Sequence, residues 1–253
     1  MWLSKMSELK KLSNSLERTL KDSELHNVTI SLSEVVVDEL LENGIAKDIP
    51  IIGTVVGLGK ATIGIKESLF LKKIIYFITE LKNISSEKRH LMIDQINNSG
   101  KYRAKVGEKL LYIIDKCDDH EKSQIVACLF SAFLAEKINY DEFLRASHIV
   151  NQVIQEDLKW FVEGGWNKDR EENKYRYDYP DQDGFFRIEE FGSIATTGLV
   201  EIVSPEVMVR DQDDWKAHDK YIVEGSELTV CITDIGKKIR EILKDLFNNK
   251  NIT

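Results

Sequence analysis

The run Gly57-Leu-Gly59-Lys60-Ala61-Thr62 has the residue types of a phosphate-binding loop, in which backbone N–H groups cradle phosphate and a lysine reaches its oxygens. The spacing Gly-x-x-x-x-Gly-Lys-Ser/Thr, however, needs glycine where Thr54 stands and a hydroxyl where Ala61 stands, so nucleotide chemistry is not expected. Tyr179-Pro-Asp181-Gln-Asp183-Gly184 through Glu190 places carboxylates and glycine at the third, fifth, sixth and twelfth positions of a calcium loop. Tyr179 stands where the anchoring aspartate belongs, and an Asp-rich turn is the better expectation. His26, His90, His120, His148 and His218 never fall four apart or near a cysteine doublet, and no serine lies in a Gly-x-Ser-x-Gly elbow. No catalytic residue, cofactor site or metal site is nominated, and the chain is expected not to be an enzyme.

The apolar run from Asp48 to Ile65 carries four glycines, Gly53, Gly57, Gly59 and Gly64, where an ordinary soluble helix avoids them. Each costs roughly 1 kcal/mol of helix propensity relative to alanine, so a close-approach surface for another helix or for lipid is expected here. The run from Ile49 to Ile65 is interrupted by Lys60 and is shorter than the roughly 20 apolar residues a spanning helix needs. Trp160, Trp166 and Trp215 cluster in sequence around a polar stretch and are candidate partner contacts.

The 253 residues are enough for two modest domains, and a charged fraction of 31% beside 42% apolar residues fits a folded, helix-rich chain. Cys117, Cys128 and Cys231 are an odd, widely spaced set, which implies reduced thiols. The N-terminus turns polar before a signal-peptide core can form, so a cytoplasmic chain is expected, with a peripheral position on the inner face of the membrane as the alternative. The net charge of −8 resides in residues 163–224, where sixteen acidic side chains face eight basic ones. That sign argues against nucleic acid as a partner.

Several elements must position these residues. Leu9, Leu12, Leu16 and Leu20 form one stripe on a helix over 7–21 that has to dock. Ser31 and Glu34 make a capping box for a short helix that Gly44 stops. Asp48 and Pro50 then open a helix that continues through Leu81, with Ser85-Ser86 capping its successor. Further helices are read near 87–97, 102–116, 120–137 and 140–163, the last opened by an Asn139–Glu142 capping box and closed by Gly164-Gly165. Residues 164–184 read as a linker or long loop. A helix over 186–196, strands at 198–203 and 228–232 and a closing helix from Thr233 follow.

The order helix, Thr-Gly-Leu-Val-Glu, hydrophilic excursion, Leu-Thr-Val-Cys-Ile-Thr-Asp-Ile-Gly-Lys-Lys-Ile resembles the second half of a winged-helix domain over residues 186–247. The stretch matching the recognition helix, Arg187-Ile-Glu-Glu-Phe-Gly-Ser-Ile-Ala-Thr, has one basic residue against two acidic ones, so protein contacts or packing are implied rather than DNA reading. Residues 108–145, from Glu108-Lys-Leu-Leu-Tyr-Ile-Ile-Asp to Tyr-Asp-Glu-Phe-Leu-Arg145, are similar to helical modules of the tellurite-resistance TerB type. Such modules present acidic clusters able to hold divalent cations. The corresponding residues would be Asp115, Asp118, Asp119 and Glu121, for which a solvated loop is the expectation. Taken whole, the chain resembles a group of bacterial proteins joining an Ile-Pro-Ile-Ile-Gly segment to these two parts, which implies a setting in stress or phage defence.

The expected fold class is mainly α: a helical domain (1–163), a linker (164–184) and a small α+β winged-helix-like domain (185–253). The expected function is a non-enzymatic interaction protein that meets a protein partner or itself. The alternatives are a membrane-surface protein that inserts residues 45–81, and a winged-helix transcription regulator.

Overall fold

The leucine stripe folds as α1 (Trp2–Lys21), and its C-terminal half is the docked half: Leu16 and Leu20 are sealed from solvent, while Leu9 and Leu12 are half-buried. The computed structural model describes residues 2–25, 49–58, 65–164, 166–168, 175–177, 191–203, 208–211, 221–224 and 229–250. The chain is mainly helical with a small antiparallel sheet toward its C-terminus, and divides into two compact units, Met1–Asn151 and Gln152–Thr253. The expected helix over 31–44, with its capping box, lies outside the described residues.

In the first unit α1 is followed by α2 (Pro50–Leu58), α3 (Ile65–Glu80) with a 3-10 turn at Leu81–Asn83, α4 (Ser86–Asn98), α5 (Val106–Asp115), α6 (His120–Leu134) and α7 (Tyr140–Gln152). The starts are chemically specified. Pro50 occupies the first helical position of α2, where its missing N–H costs nothing. Asp119 accepts from the Lys122 N–H at 2.8 Å at the head of α6. The Asn139–Glu142 box is built reciprocally: the Glu142 N–H donates to Asn139 Oδ1 at 3.0 Å, and the Asn139 N–H donates to Glu142 Oε2 at 2.9 Å.

The core forms where α3 lies along α6. Phe77 meets Phe130 at 5.8 Å between ring centroids, and Phe130 meets Phe133 at 5.7 Å and Phe143 at 5.3 Å. All four rings are buried, and each contributes roughly 1.5–3 kcal/mol on removal from water. α1 lies against α2 and α5.

Two expected helices are described differently. The segment expected as one helix from Pro50 to Leu81 is described as α2 and α3, and residues 59–64 lie outside the described residues. The expected helix over 140–163 breaks at Val153-Ile154. Ile154 takes an extended backbone (φ −64°, ψ 140°), and its N–H donates to Ser193 Oγ at 2.9 Å instead of to a helical carbonyl. Val153 is buried while Ile154 is exposed, and this β-branched pair resists the helix least willingly given up elsewhere in the segment. The following helix, α8 (Gln155–Glu163), belongs to the second unit.

The second unit continues with β1 (Asn167–Lys168), β2 (Tyr175–Tyr177), α9 (Ile194–Thr197), β3 (Val200–Val203), β4 (Met208–Asp211), β5 (Tyr221–Glu224), β6 (Thr229–Ile232) and α10 (Asp234–Lys250). The stretch expected as a linker is therefore partly sheet: β2 pairs with β6, placing Arg176 opposite Cys231, and the sheet runs β1-β2-β6-β3. Backbone donors of β6 supply the reason, since its second edge would otherwise be unpaired. β3 and β6 pair antiparallel as expected, Val200 opposite Ile232 and Val203 opposite Thr229, and β4 and β5 form a separate hairpin. The expected helix over 186–196 is described only as α9. Ile235, Ile239, Leu243 and Phe247 make the buried stripe of α10, which packs on α8. Arg240 donates to Val162 O at 3.1 Å and to Gly164 O at 3.2 Å, capping the carbonyl end of α8.

Candidate interaction surface

α2 is anchored by one face. Ile51, Ile52 and Val55 are buried, the Ile51 N–H donates to Thr19 Oγ1 at 3.1 Å, and the Thr54 hydroxyl lies 2.7 Å from that of Ser15. Gly57 falls two residues beyond Val55, roughly 200° round the helix, and so faces away from α1. A Cβ built on Gly57 meets nothing within 4 Å. The expected close approach fails at this glycine because the apolar neighbours of α2 already occupy its contact face. Gly53 is half-buried with its N–H on Ile49 O at 2.9 Å; Gly59 and Gly64 lie outside the described residues. Gly57→Ala is therefore expected to leave the fold intact and to raise stability by up to about 1 kcal/mol in a urea melt.

What the run does present is apolar surface. Leu58 is 38% exposed, and on α3 Ile65 is 81% and Leu69 56% exposed. Ile65 and Leu69 are four apart and share one helix face, with the exposed Lys66 beside them. Their packing partners on the opposite side, Leu71, Ile74, Ile75 and Ile78, are buried, so this exposure is not a loosely held helix.

The tryptophans separate into different roles. Trp166 is a core residue, 7% exposed, whose Nε1–H donates to Phe161 O at 3.0 Å. Trp160 is 38% exposed and meets Trp166 edge-on at 6.0 Å and Phe191 at 5.9 Å. It presents one ring edge to solvent from a fixed aromatic bed. Trp215 lies outside the described residues.

The acidic residues near α6 act locally. Asp119 caps the helix and Asp118 pairs with the buried Lys122, which also donates to Asn151 O at 3.4 Å. Among the described residues no three His, Cys, Asp or Glu side chains converge as metal ligands do. The candidate calcium loop falls outside the described residues. His90 and His148 are exposed, and His120 packs edge-on against Tyr76 at 4.4 Å.

The three cysteines are free thiols. Cys117 is buried and donates weakly to Ile113 O at 3.4 Å; burial pushes its pKa up to about 12, against the smaller opposing effect of Lys73 and Lys122. A thiol so held has almost no thiolate at neutral pH. Cys117 is expected to resist alkylation in the native protein and to react only as fast as the fold opens, which peptide mapping after timed iodoacetamide treatment would measure.

Close-packed glycines do occur, but elsewhere. A Cβ on Gly107 would lie 2.6 Å from both Ser13 O and Glu17 Cγ, and one on Gly236 would lie 2.3 Å from Leu199 O. Gly236 belongs to the Thr-x-x-Gly turn: Thr233 Oγ1 accepts from the Gly236 N–H at 3.1 Å and donates to Gly198 O at 2.7 Å. Gly107 had a sequence signal too, a glycine inside a strongly amphipathic helix, where its propensity cost calls for a packing reason.

Compared with protein-family models, curated proteins and solved structures, the chain matches none. No helix among the described residues is long and apolar enough to cross a membrane.

Proposed function

We propose that the chain is a non-enzymatic bacterial interaction protein, a component or effector of stress or phage defence, that meets a protein partner through the α2–α3 surface. The observation that carries this reading is the exposure of Leu58, Ile65 and Leu69 beside a glycine with open space around it. Apolar side chains exposed in a group, on helices whose other faces are firmly buried, mark contact surfaces. The setting rests on the TerB-type resemblance of residues 108–145. A winged-helix-like second unit is supported by the order α9, β3, a β4–β5 hairpin, β6 and α10, with β3 and β6 antiparallel. Its acidic balance favours protein contacts over a transcription regulator.

A second reading, attachment to an anionic membrane surface, is favoured by Lys66, Lys72 and Lys73 on the same helix as Ile65 and Leu69. A photo-crosslinking side chain at position 69, in the native host, tests the first reading. A discrete protein adduct that disappears in an Ile65→Asp/Leu69→Asp background with unchanged melting supports it. Adducts with lipid alone, together with binding to phosphatidylglycerol vesicles, transfer the surface to the second reading, and absence of any adduct overturns both.

A further inference from the structure

α4, the turn after it and the α6–α7 junction enclose a cavity of about 470 Å³ within the first unit. Small-molecule pockets occupy roughly 300–1,000 Å³. One wall is apolar, formed by Met92, Ile96, Phe133 and Ile138.

The charged groups at its edge are already paired. Lys101 donates to Asp141, the Tyr102 hydroxyl donates to Asp141 Oδ1 at 2.7 Å, and Glu136 lies 3.3 Å from Lys88 Nζ. Hydrogen bonds from Lys101 and Tyr102 hold the Asp141 carboxyl below the usual range, so it stays ionised and engaged. The cavity therefore offers little net charge to a ligand.

Tyr140 is the exception to this satisfaction. It lines the cavity, is 3% exposed, and its hydroxyl has no hydrogen-bond partner. Burial raises its pKa, so the group is a neutral hydroxyl able to donate and to accept. Its ring is packed by Tyr102 at 4.8 Å, Phe133 at 5.3 Å and Phe143 at 5.8 Å. A phenylalanine would make those ring contacts equally well, whereas an unpaired buried hydroxyl costs about 1–3 kcal/mol. The turn that brings Tyr140 here is itself strained: Glu136 sits at φ +62°, where the chain leaves α6 in the left-handed conformation that glycine normally takes.

We propose that this cavity binds a small, uncharged aromatic molecule bearing one hydrogen-bonding group, with that group bonded to the Tyr140 hydroxyl. The aromatic class follows from the Phe133, Tyr140 and Tyr102 rings and from Met92, whose thioether adapts to flat partners. This site is separate from the α2–α3 surface and does not depend on it.

Phenol and indole are suitable probes, with cyclohexanol as the aliphatic control, followed through the amide resonances of Ile96, Phe133 and Tyr140. Both aromatic probes are expected to shift these amides more strongly than cyclohexanol. Tyr140→Phe is expected to weaken phenol binding about tenfold, the loss of one hydrogen bond of about 1.4 kcal/mol, while melting at the same temperature or higher. Ile96→Trp, or Met92→Phe if the first variant does not fold, fills the cavity and should abolish the shifts. The proposal is overturned if neither aromatic probe shifts these amides, if cyclohexanol binds as well, or if Tyr140→Phe binds phenol as the parent does.

Discussion

Arg89→Met is expected to lower the stability of the first unit by about 3 kcal/mol, the largest effect of any single polar side chain described here. Arg89 is 2% exposed and its guanidinium serves three backbone carbonyls: Nε donates to Leu20 O at 2.6 Å, Nη2 to Asp22 O at 2.6 Å, and Nη1 to Ile84 O. Leu20 lies in the last turn of α1, whose terminal carbonyls have no intrahelical donor, and Asp22 follows directly. The cation thus satisfies acceptors at the negative end of α1 and ties that end to the turn before α4. Desolvation lowers the Arg89 pKa, but Asp22 and Glu87 oppose the shift and the group stays charged.

Methionine keeps the aliphatic bulk and removes every donor. Each stranded carbonyl costs about 1–3 kcal/mol, offset in part by relief of the buried charge. Arg89→Lys should recover only part of the loss, because one ammonium cannot reproduce the planar fork that reaches carbonyls in different directions. Urea melts with an unchanged slope check this. A loss below about 1 kcal/mol for the methionine variant would show that the three carbonyls find water or other donors.

Gly236→Ala and Gly107→Ala are each expected to destabilise by about 1–3 kcal/mol, opposite in sign to Gly57→Ala. At Gly236 the added Cβ meets the Leu199 carbonyl oxygen at 2.3 Å and Ile232 Cγ2 at 2.8 Å. Rotation of a side chain cannot relieve contact with backbone, so α10 must shift from β3 and strain the Thr233 bonds to Gly198 and Gly236. At Gly107 one obstacle is the Ser13 carbonyl and the other is Glu17. Moving Glu17 also disturbs its bonds from the Gly107 N–H and from Asn97 Nδ2, both 3.0 Å. Parallel melts of the three alanine variants give the comparison. Equal stability in all three would remove the distinction between packed and open glycines.

Local chemistry was readable from the sequence wherever cause and effect lie within a few residues. Asn139 and Glu142 cap one helix end because side chains three apart reach each other's backbone N–H, and Pro50 starts α2 because of its own missing donor. The α10 stripe and the β3–β6 strands followed from periodicity, since alternation and 3.6-residue spacing select one buried face. Which face of a glycine-bearing helix meets another helix is decided by partners distant in sequence. Gly57 looked like a contact residue, yet Thr19 and Ser15 of α1 hold the opposite side of α2. Arg89 reaches a carbonyl 69 residues away, the break at Ile154 depends on Ser193, and the β2 strand exists through β6. The cavity around Tyr140 likewise needs α4 and the α6–α7 turn together. Sequence alone determined the elements and their caps, while tertiary structure decided which surfaces were left open, because burial is a property of pairs of elements and not of either one.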